Sequence, residues 1–240
     1  LILCSTVPPH ALDHHTVARF RVGTGERQIF SLRHQPSHLP VQPDCDIDQA
    51  FAQTVEQWQA FATRCPQVGP YTALVRRSLL TLKAMTYAPT GGIVAAVTTS
   101  LPERVGGERN WDYRFCWLRD ATMTLLAFMN LGYFDEAQAW REWLLRSVAG
   151  NPEQMQIMYG LAGERDLQEY TLPWLAGYEH SKPVRVGNAA SQQMQLDIYG
   201  ELADAMAQAI KGGLPRHPRS AAISRLILPY VERIWREPDE

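Results

Sequence analysis

Two periodicities meet between Glu108 and Leu131, and together they limit what this chain can fold into. Trp111, Tyr113, Phe115 and Trp117 are aromatic at every second position. An extended backbone puts alternate side chains on one face, so the four form an aromatic platform with Asp112, Arg114 and Cys116 opposite. From Leu118 the pattern becomes almost wholly apolar through Ala121, Met123, Leu125, Leu126, Ala127, Phe128, Met129 and Leu131, enough for about three helical turns. A helix apolar on all sides is a buried helix. Arg119 and Asp120 therefore stand at its mouth, where an unpaired charge is costly. Consecutive helical residues do not face each other, so each needs a partner from another element or from a bound polar ligand.

The rest of the chain reads as helices with a β-like start. Thr16 to Val22 and Gln28 to Arg33 alternate polar and apolar residues around Gly23-Thr24-Gly25-Glu26, which predicts a β-hairpin. Pro36, Pro40 and Pro43 mark an extended linker. With Asp46 or Asp48 as cap, Phe51, Val55, Trp58 and Phe61 or Ala62 give an amphipathic helix to about Arg64. Pro70 opens the next, with Leu74, Val75, Ser78, Leu79, Leu82 and Met85 as its stripe. After the apolar helix ends at Leu131-Gly132-Tyr133, Asp135 caps a successor whose stripe is Ala137, Trp140, Leu144, Leu145 and Val148, an αα-hairpin. Residues 163–187 are too long for a mere connector and form a candidate functional loop. Asn188 caps a helix to about Ile210, in which Gly200 implies a close neighbour, and a last helix over 223–234 carries Pro229.

Composition excludes several classes. With 23 basic and 25 acidic residues among 240, a net charge of -2 and no long run of one sign, nothing points to nucleic acid or to a membrane surface. No stretch reaches the roughly 18 apolar residues of a membrane span. Cys4, Cys45, Cys65 and Cys116 make no CxxC pair, which argues against a zinc site or disulfide framework and fits a reducing cytoplasm. The glycines of 91–107 match neither phosphate-binding loop pattern, so no nucleotide cofactor is implied. The chain has no initiator Met and both ends are abrupt, the mark of a piece of something longer.

Several separated motifs carry a resemblance. The run Leu82 to Ala96, Thr98 to Glu103, Gly106 to Asp120, then Gly187-Asn188-Ala189-Ala190 and Gln195-Leu196-Asp197-Ile198-Tyr199-Gly200-Glu201, resembles glycoside hydrolase family 15, which includes glucoamylases, glucodextranases and a bacterial group with trehalases. The resemblance implies a mainly α fold: an incomplete (α/α)6 toroid of inner and outer helices over 45–240, preceded in 1–44 by a short β remnant of an N-terminal β-sandwich and a Pro-rich linker. It implies that Tyr113 and Trp117 wall a pocket while Arg119 and Asp120 bind hydroxyls of a non-reducing terminal glucose; Gln195 and Asp197 either line the same site or make hydrogen bonds from helix to loop. The partner would be an α-linked glucose oligosaccharide or disaccharide, cleaved with inversion by an exo-acting, glucoamylase-like enzyme, or by a trehalase. Inversion needs a general acid and a general base about 6.5–9.5 Å apart. Relatives continue past the pattern of Trp235 to Asp239 into Gly-Ile-Trp-Glu, whose Glu resembles the acid, so both catalytic carboxylates are expected outside these residues. Where fungal glucoamylases have a Trp before the Gln-x-Asp, this chain has Ala190-Ser191-Gln192. The competing reading is an inactive remnant or a carbohydrate-binding helical protein. An incomplete toroid would also self-associate through uncovered faces.

Among the other charged residues, Asp112 and Arg114 read as structural, as does Glu201. Glu164, Asp166, Glu169 and Glu179 of the long loop have no apolar surroundings to raise a pKa and are poor candidates for catalysis.

Overall fold

The structure is a computed structural model and describes residues 1–41, 46–148 and 150–239. Pro43, Cys45 and the expected 44/45 boundary lie outside the described residues. The chain divides into two compact units, residues 1–60 and 61–240.

The first unit contains two separate antiparallel pairs and most of a helix. Strand β1 (Ile2–Ser5) pairs with β4 (Phe30–Arg33), Ile2 opposite Arg33 and Ser5 opposite Phe30, while β2 (His10–Leu12) pairs with β3 (His15–Val17). This corrects the expected hairpin of 16–22 with 28–33. The turn at 23–26 does form, with Glu26 N–H donating to Gly23 O at 3.2 Å, but no strands pair across it. Asp13 and His14 both adopt left-handed conformations (φ 46° and 63°), the geometry of a two-residue hairpin turn. That short loop closes at lower entropic cost and takes residues 15–17 into its own ladder, leaving β4 to the Leu-Cys edge of β1. Helix α1 (Ile47–Thr63) begins where expected: the Asp46 carboxylate accepts from the N–H groups of Asp48 and Gln49 at 3.0 and 3.1 Å.

The second unit is helical, and α1 enters it with its last turn. Of the α1 stripe only Phe61 is buried, whereas Phe51 is 70% exposed. Burial begins where Tyr133 stands, its ring 4.6 Å from that of Phe61 and its hydroxyl donating to Phe61 O at 2.8 Å. A 3-10 turn holding Pro70 leads into α2 (Thr72–Ala84), which buries Leu79. Helix α3 (Leu118–Asn130) turns at Gly132 (φ 80°) into α4 (Phe134–Ser147), the expected αα-hairpin. Leu118, Leu125, Phe128, Ala137, Trp140 and Leu144 are each at most 1% exposed. Each such Leu or Phe contributes roughly 1.5–3 kcal/mol relative to an exposed position.

Four expectations fail here. Helix α3 is not buried all round, since Met123 is 59% exposed on the face that α4 and α5 leave uncovered. Asp135 is not a cap: Tyr133 precedes the helix and makes no side-chain capping hydrogen bond to it, and Asp135 lies in the first turn, where its charge still suits the helix dipole. The helix expected from Asn188 starts instead at Asp197. Asn188 does accept from Ala190 N–H at 3.0 Å, but it caps only a 3-10 turn, Ala189–Gln192, and Gln193 then returns to extended backbone (ψ 147°). Helix α5 (Asp197–Lys211) packs on α3, and α6 (Pro218–Ile234) packs on α5. Gly200 has no atom near the place of a Cβ, so the expected close neighbour is absent. Among the described residues the fold is thus mainly α, with six α-helices, and none is long and apolar enough to cross a membrane.

Candidate functional site

The alternating aromatics are laid out by an extended segment pinned on both sides. Trp111, Tyr113 and Phe115 each offer a carbonyl to a backbone N–H, of Ser100, Ala96 and Ala95, at 2.9–3.0 Å. Residues Cys116–Trp117 (β5) then pair with Met158–Tyr159 (β6). The two faces differ at most positions, although Arg114 on the inner face reaches the surface and Phe115 does not line the depression described below. Asp112 and Cys116 are fully buried, whereas Tyr113 is 37% exposed and the tilted rings of Tyr113 and Trp117 lie 6.4 Å apart. Trp111, Tyr113 and Trp117 wall an open depression of about 480 Å³, closed by Glu169, Arg185 and Gln193.

The buried face holds the platform rigid. Asp112 accepts from Arg114 through Nε and a terminal nitrogen, both at 2.9 Å, and from Gly187 N–H at 3.1 Å. Asn188 Nδ2 donates to the Asp112 carbonyl at 3.0 Å. This carboxylate ties the platform to β8 (Arg185–Val186), which pairs with β7 (Tyr170–Thr171) in the long loop. Gly187 permits the contact: its φ is 81°, and a Cβ would stand 2.0 Å from Gln168 O. Burial pushes the Cys116 thiol up to about 12, so this cysteine is an inert filler.

At the mouth of α3 the two charges part company. Arg119 donates to Asp197 Oδ2 at 2.6 Å and to Gln195 Oε1 at 3.2 Å, and its guanidinium lies 5.9 Å from the centre of the Trp117 ring. The hydrogen bond to Asp197 holds the guanidinium above its ordinary range, burial opposing. Asp197 uses one oxygen for Arg119, while its Oδ1 is buried without a hydrogen-bond partner. Asp120 is exposed, and its charge reaches Tyr113: burial raises the Tyr113 hydroxyl pKa first, and the charges of Glu103 and Asp120 add to it against Arg109. Asp239 approaches from the other end, its carboxylate accepting from Leu196 N–H at 3.1 Å just before α5.

Of the six residues singled out from sequence, the structure brings Arg119, Gln195 and Asp197 into one hydrogen-bonded set and places Tyr113 and Trp117 on the depression, with Trp117 joining the two. Asp120 is exposed between the two, its charge acting on both Tyr113 and Arg119. Two lining residues carried no clear sequence signal. Arg185 stacks 4.7 Å from the Trp111 ring centre and donates to Glu169 at 2.8 Å, and Glu169 in turn accepts from Ala189 N–H at 3.3 Å. Only the length of the loop hinted at them. The described residues hold no cluster of His, Cys, Asp and Glu able to ligate a metal ion.

Helical hairpins that present an aromatic wall beside a fixed guanidinium–carboxylate pair suit a glycoside hydrolase. The sequence model of glycosyl hydrolases family 15 matches residues 69–240, and the chain belongs to that family. It is 38% identical over 230 residues to a trehalase of Mycobacterium tuberculosis, 92% of this chain and 33% of that protein. A trehalase of Thermoplasma volcanium is 35% identical over 187 residues, covering 78% and 30%. Trehalase 1 of Sulfolobus acidocaldarius is 40% identical over 162 residues, covering 67% and 28%. The chain therefore spans about a third of the length of these curated relatives.

Proposed function

We propose that this chain is the sugar-binding part of an inverting hydrolase of α-linked glucosides, with trehalose as the substrate. The observation that carries the binding role is the Arg119–Asp197 pair. It sets a fixed guanidinium 5.9 Å from the centre of the Trp117 ring, paired with a carboxylate whose second oxygen has no partner, and a glucose ring offers an apolar face for the aromatics and hydroxyls for the ions. Names of the relatives favour trehalose. Action on the non-reducing ends of longer α-glucans, the glucoamylase-like reading, is second, supported by the open mouth of the depression at Tyr113. In this proposal Tyr113, Trp117, Arg119, Asp120, Gln195 and Asp197 bind and orient sugar. Proton transfer falls to an acid and a base outside these residues, about 6.5–9.5 Å apart around the scissile bond. The α3–α4 hairpin and the α3–α5 packing support a place in an (α/α)6 toroid, with 1–44 as the end of a β-sandwich domain and 45–240 as the first part of the catalytic domain. The free thiols Cys4, Cys65 and Cys116 support a cytoplasmic setting.

Calorimetric titration of the chain with trehalose, maltose and isomaltose, followed by turnover assays, tests this. Trehalose should bind, and Arg119→Ala should weaken it by about tenfold or more, equivalent to ~1.4 kcal/mol. Unchanged binding in Arg119→Ala removes the pair from the site, and clear hydrolysis by these residues alone overturns the division of labour.

A further inference from the structure

Where α4, α5 and α6 meet, a cavity of about 250 Å³ opens between Arg141, Met206 and the first turns of α6. It shares no lining residue with the aromatic depression. Its apolar wall comes from Ala203, Met206, Ala207 and Ile210 of α5 and from Ala221 of α6. Arg141 of α4 is the unusual member. It is 5% exposed, yet its guanidinium makes a single hydrogen bond, Nη1 donating to Pro215 O at 2.7 Å, and no carboxylate pairs with it among the described residues. The acids on the neighbouring helix turns are engaged elsewhere: Glu142 accepts from Gln138, and Asp204 accepts from Gln208. A buried cation without a counter-charge is costly, because nothing replaces the water it gave up. Nε is enclosed and has no partner, which leaves Nη2 as the one nitrogen of the group that is neither enclosed nor hydrogen-bonded.

The rest of the lining adds positive charge and no acid. Arg216 is exposed at the rim and forms no ion pair among the described residues. His217 Nδ1 accepts from Arg219 N–H at 3.2 Å, which leaves Nε2 as the donor of that ring, and His217 O accepts from Ser220 N–H at 3.0 Å. The first N–H groups of α6 are thus spent on its own cap, and recognition falls to side chains. This charge calls for an anion, and the wall says of what kind. Phosphate carries more charge and more bound water, and Ala, Met and Ile side chains offer no donors to replace that water. A monocarboxylate sets one charge on a guanidinium, and an aliphatic body removes apolar wall from water. At about 30 Å³ for each water-sized group, the space takes roughly eight such groups.

We propose that this cavity binds a small aliphatic monocarboxylate, its charged end on Arg141 and its hydrocarbon tail against α5. The site stands on the unpaired buried guanidinium, the absence of acids from its lining and the apolar wall, and it is independent of the sugar reading.

The test is a titration of the whole isotope-labelled chain with butyrate, followed by NMR, with butan-1-ol and inorganic phosphate as comparison ligands. The backbone amides of Met206, Ala207 and Ser220 should shift with butyrate. Butan-1-ol, which has the tail without the charge, should bind at least tenfold more weakly. Ala207→Leu fills the space from an exposed position on α5 and leaves Arg141 in place, and it should weaken butyrate at least tenfold, as should Arg141→Met. Thermal melts show whether Arg141→Met loses its fold along with its bond to Pro215, in which case Ala207→Leu carries the comparison. Equal affinity for butyrate and butan-1-ol would overturn the proposal by removing the charge from it, and phosphate binding tighter than butyrate would overturn it by removing the tail. Butyrate that shifts none of the three amides, or that binds Ala207→Leu unchanged, would overturn the site itself. Trehalose binding, read at Tyr113 and Trp117, should be the same in Ala207→Leu, so failure here and failure of the sugar site are told apart.

Discussion

Replacing Glu136 by Gln removes one charge from a carboxylate that joins two other elements. Glu136 is 7% exposed in the first turn of α4 and accepts from Arg64 at 3.0 Å and from Lys83 at 3.1 Å. Burial by itself raises its pKa, but its own backbone N–H at the helix start and the Lys83 and Arg64 cations outweigh burial and bring it below the ordinary glutamate value of 4.5. Fully buried pairs cost about 3–5 kcal/mol when one partner is lost. Here Lys83 and Arg64 keep 34% and 42% of their side-chain surface and can hydrate once unpaired. The cost of Glu136→Gln at pH 7 should therefore be smaller, about 1–2 kcal/mol. In a unit of this size that lowers the melting temperature by about 2–8 °C.

The pH dependence has a definite sign. The native pKa lies below the unfolded one, so the unfolded chain binds the proton more readily. The contribution is complete above the unfolded value near 4.5 and is lost as pH falls through the lower native value. Melts of both proteins from pH 7 downward should show the gap between them constant to about pH 5 and closing in more acid solution. A gap that does not narrow, or a Gln variant as stable as its parent at pH 7, would refute the reasoning.

Two further outcomes follow from the site. Gly187→Ala must place a methyl 2.0 Å from Gln168 O at a φ of 81°. It should therefore displace the Asp112 contact, reduce sugar binding by more than tenfold and lower stability by roughly 1–3 kcal/mol, while an unaltered titration would show that the β7–β8 loop does not hold the platform. Cys116, fully buried and with its pKa pushed up to about 12, should resist alkylation at pH 8 in the native chain and react on unfolding. Peptide mapping of the modified sites checks this, and prompt native labelling at Cys116 would contradict the packing beneath the platform.

What the sequence determined by itself is what neighbours along the chain determine. Alternation at Trp111, Tyr113, Phe115 and Trp117 set the platform, because strand geometry allows a period of two only one arrangement of faces. The stripe of α4 and the Asp46 cap were equally local, resting on contacts within three or four residues. The tertiary structure decided everything that joined distant residues. It chose Asp197, 78 positions away, as the partner of Arg119, where Asp120 next to it could not serve. It gave β4 to β1 in place of residues 16–22, since strand edges compete and the tight Asp13-His14 turn had already claimed its neighbours. It let Asn188 cap one turn and no more, because Gln193 had to return to extended backbone before α5 could begin beside α3. Short-range periodicity fixes which face of an element is apolar, but which element meets that face depends on a competition among all of them.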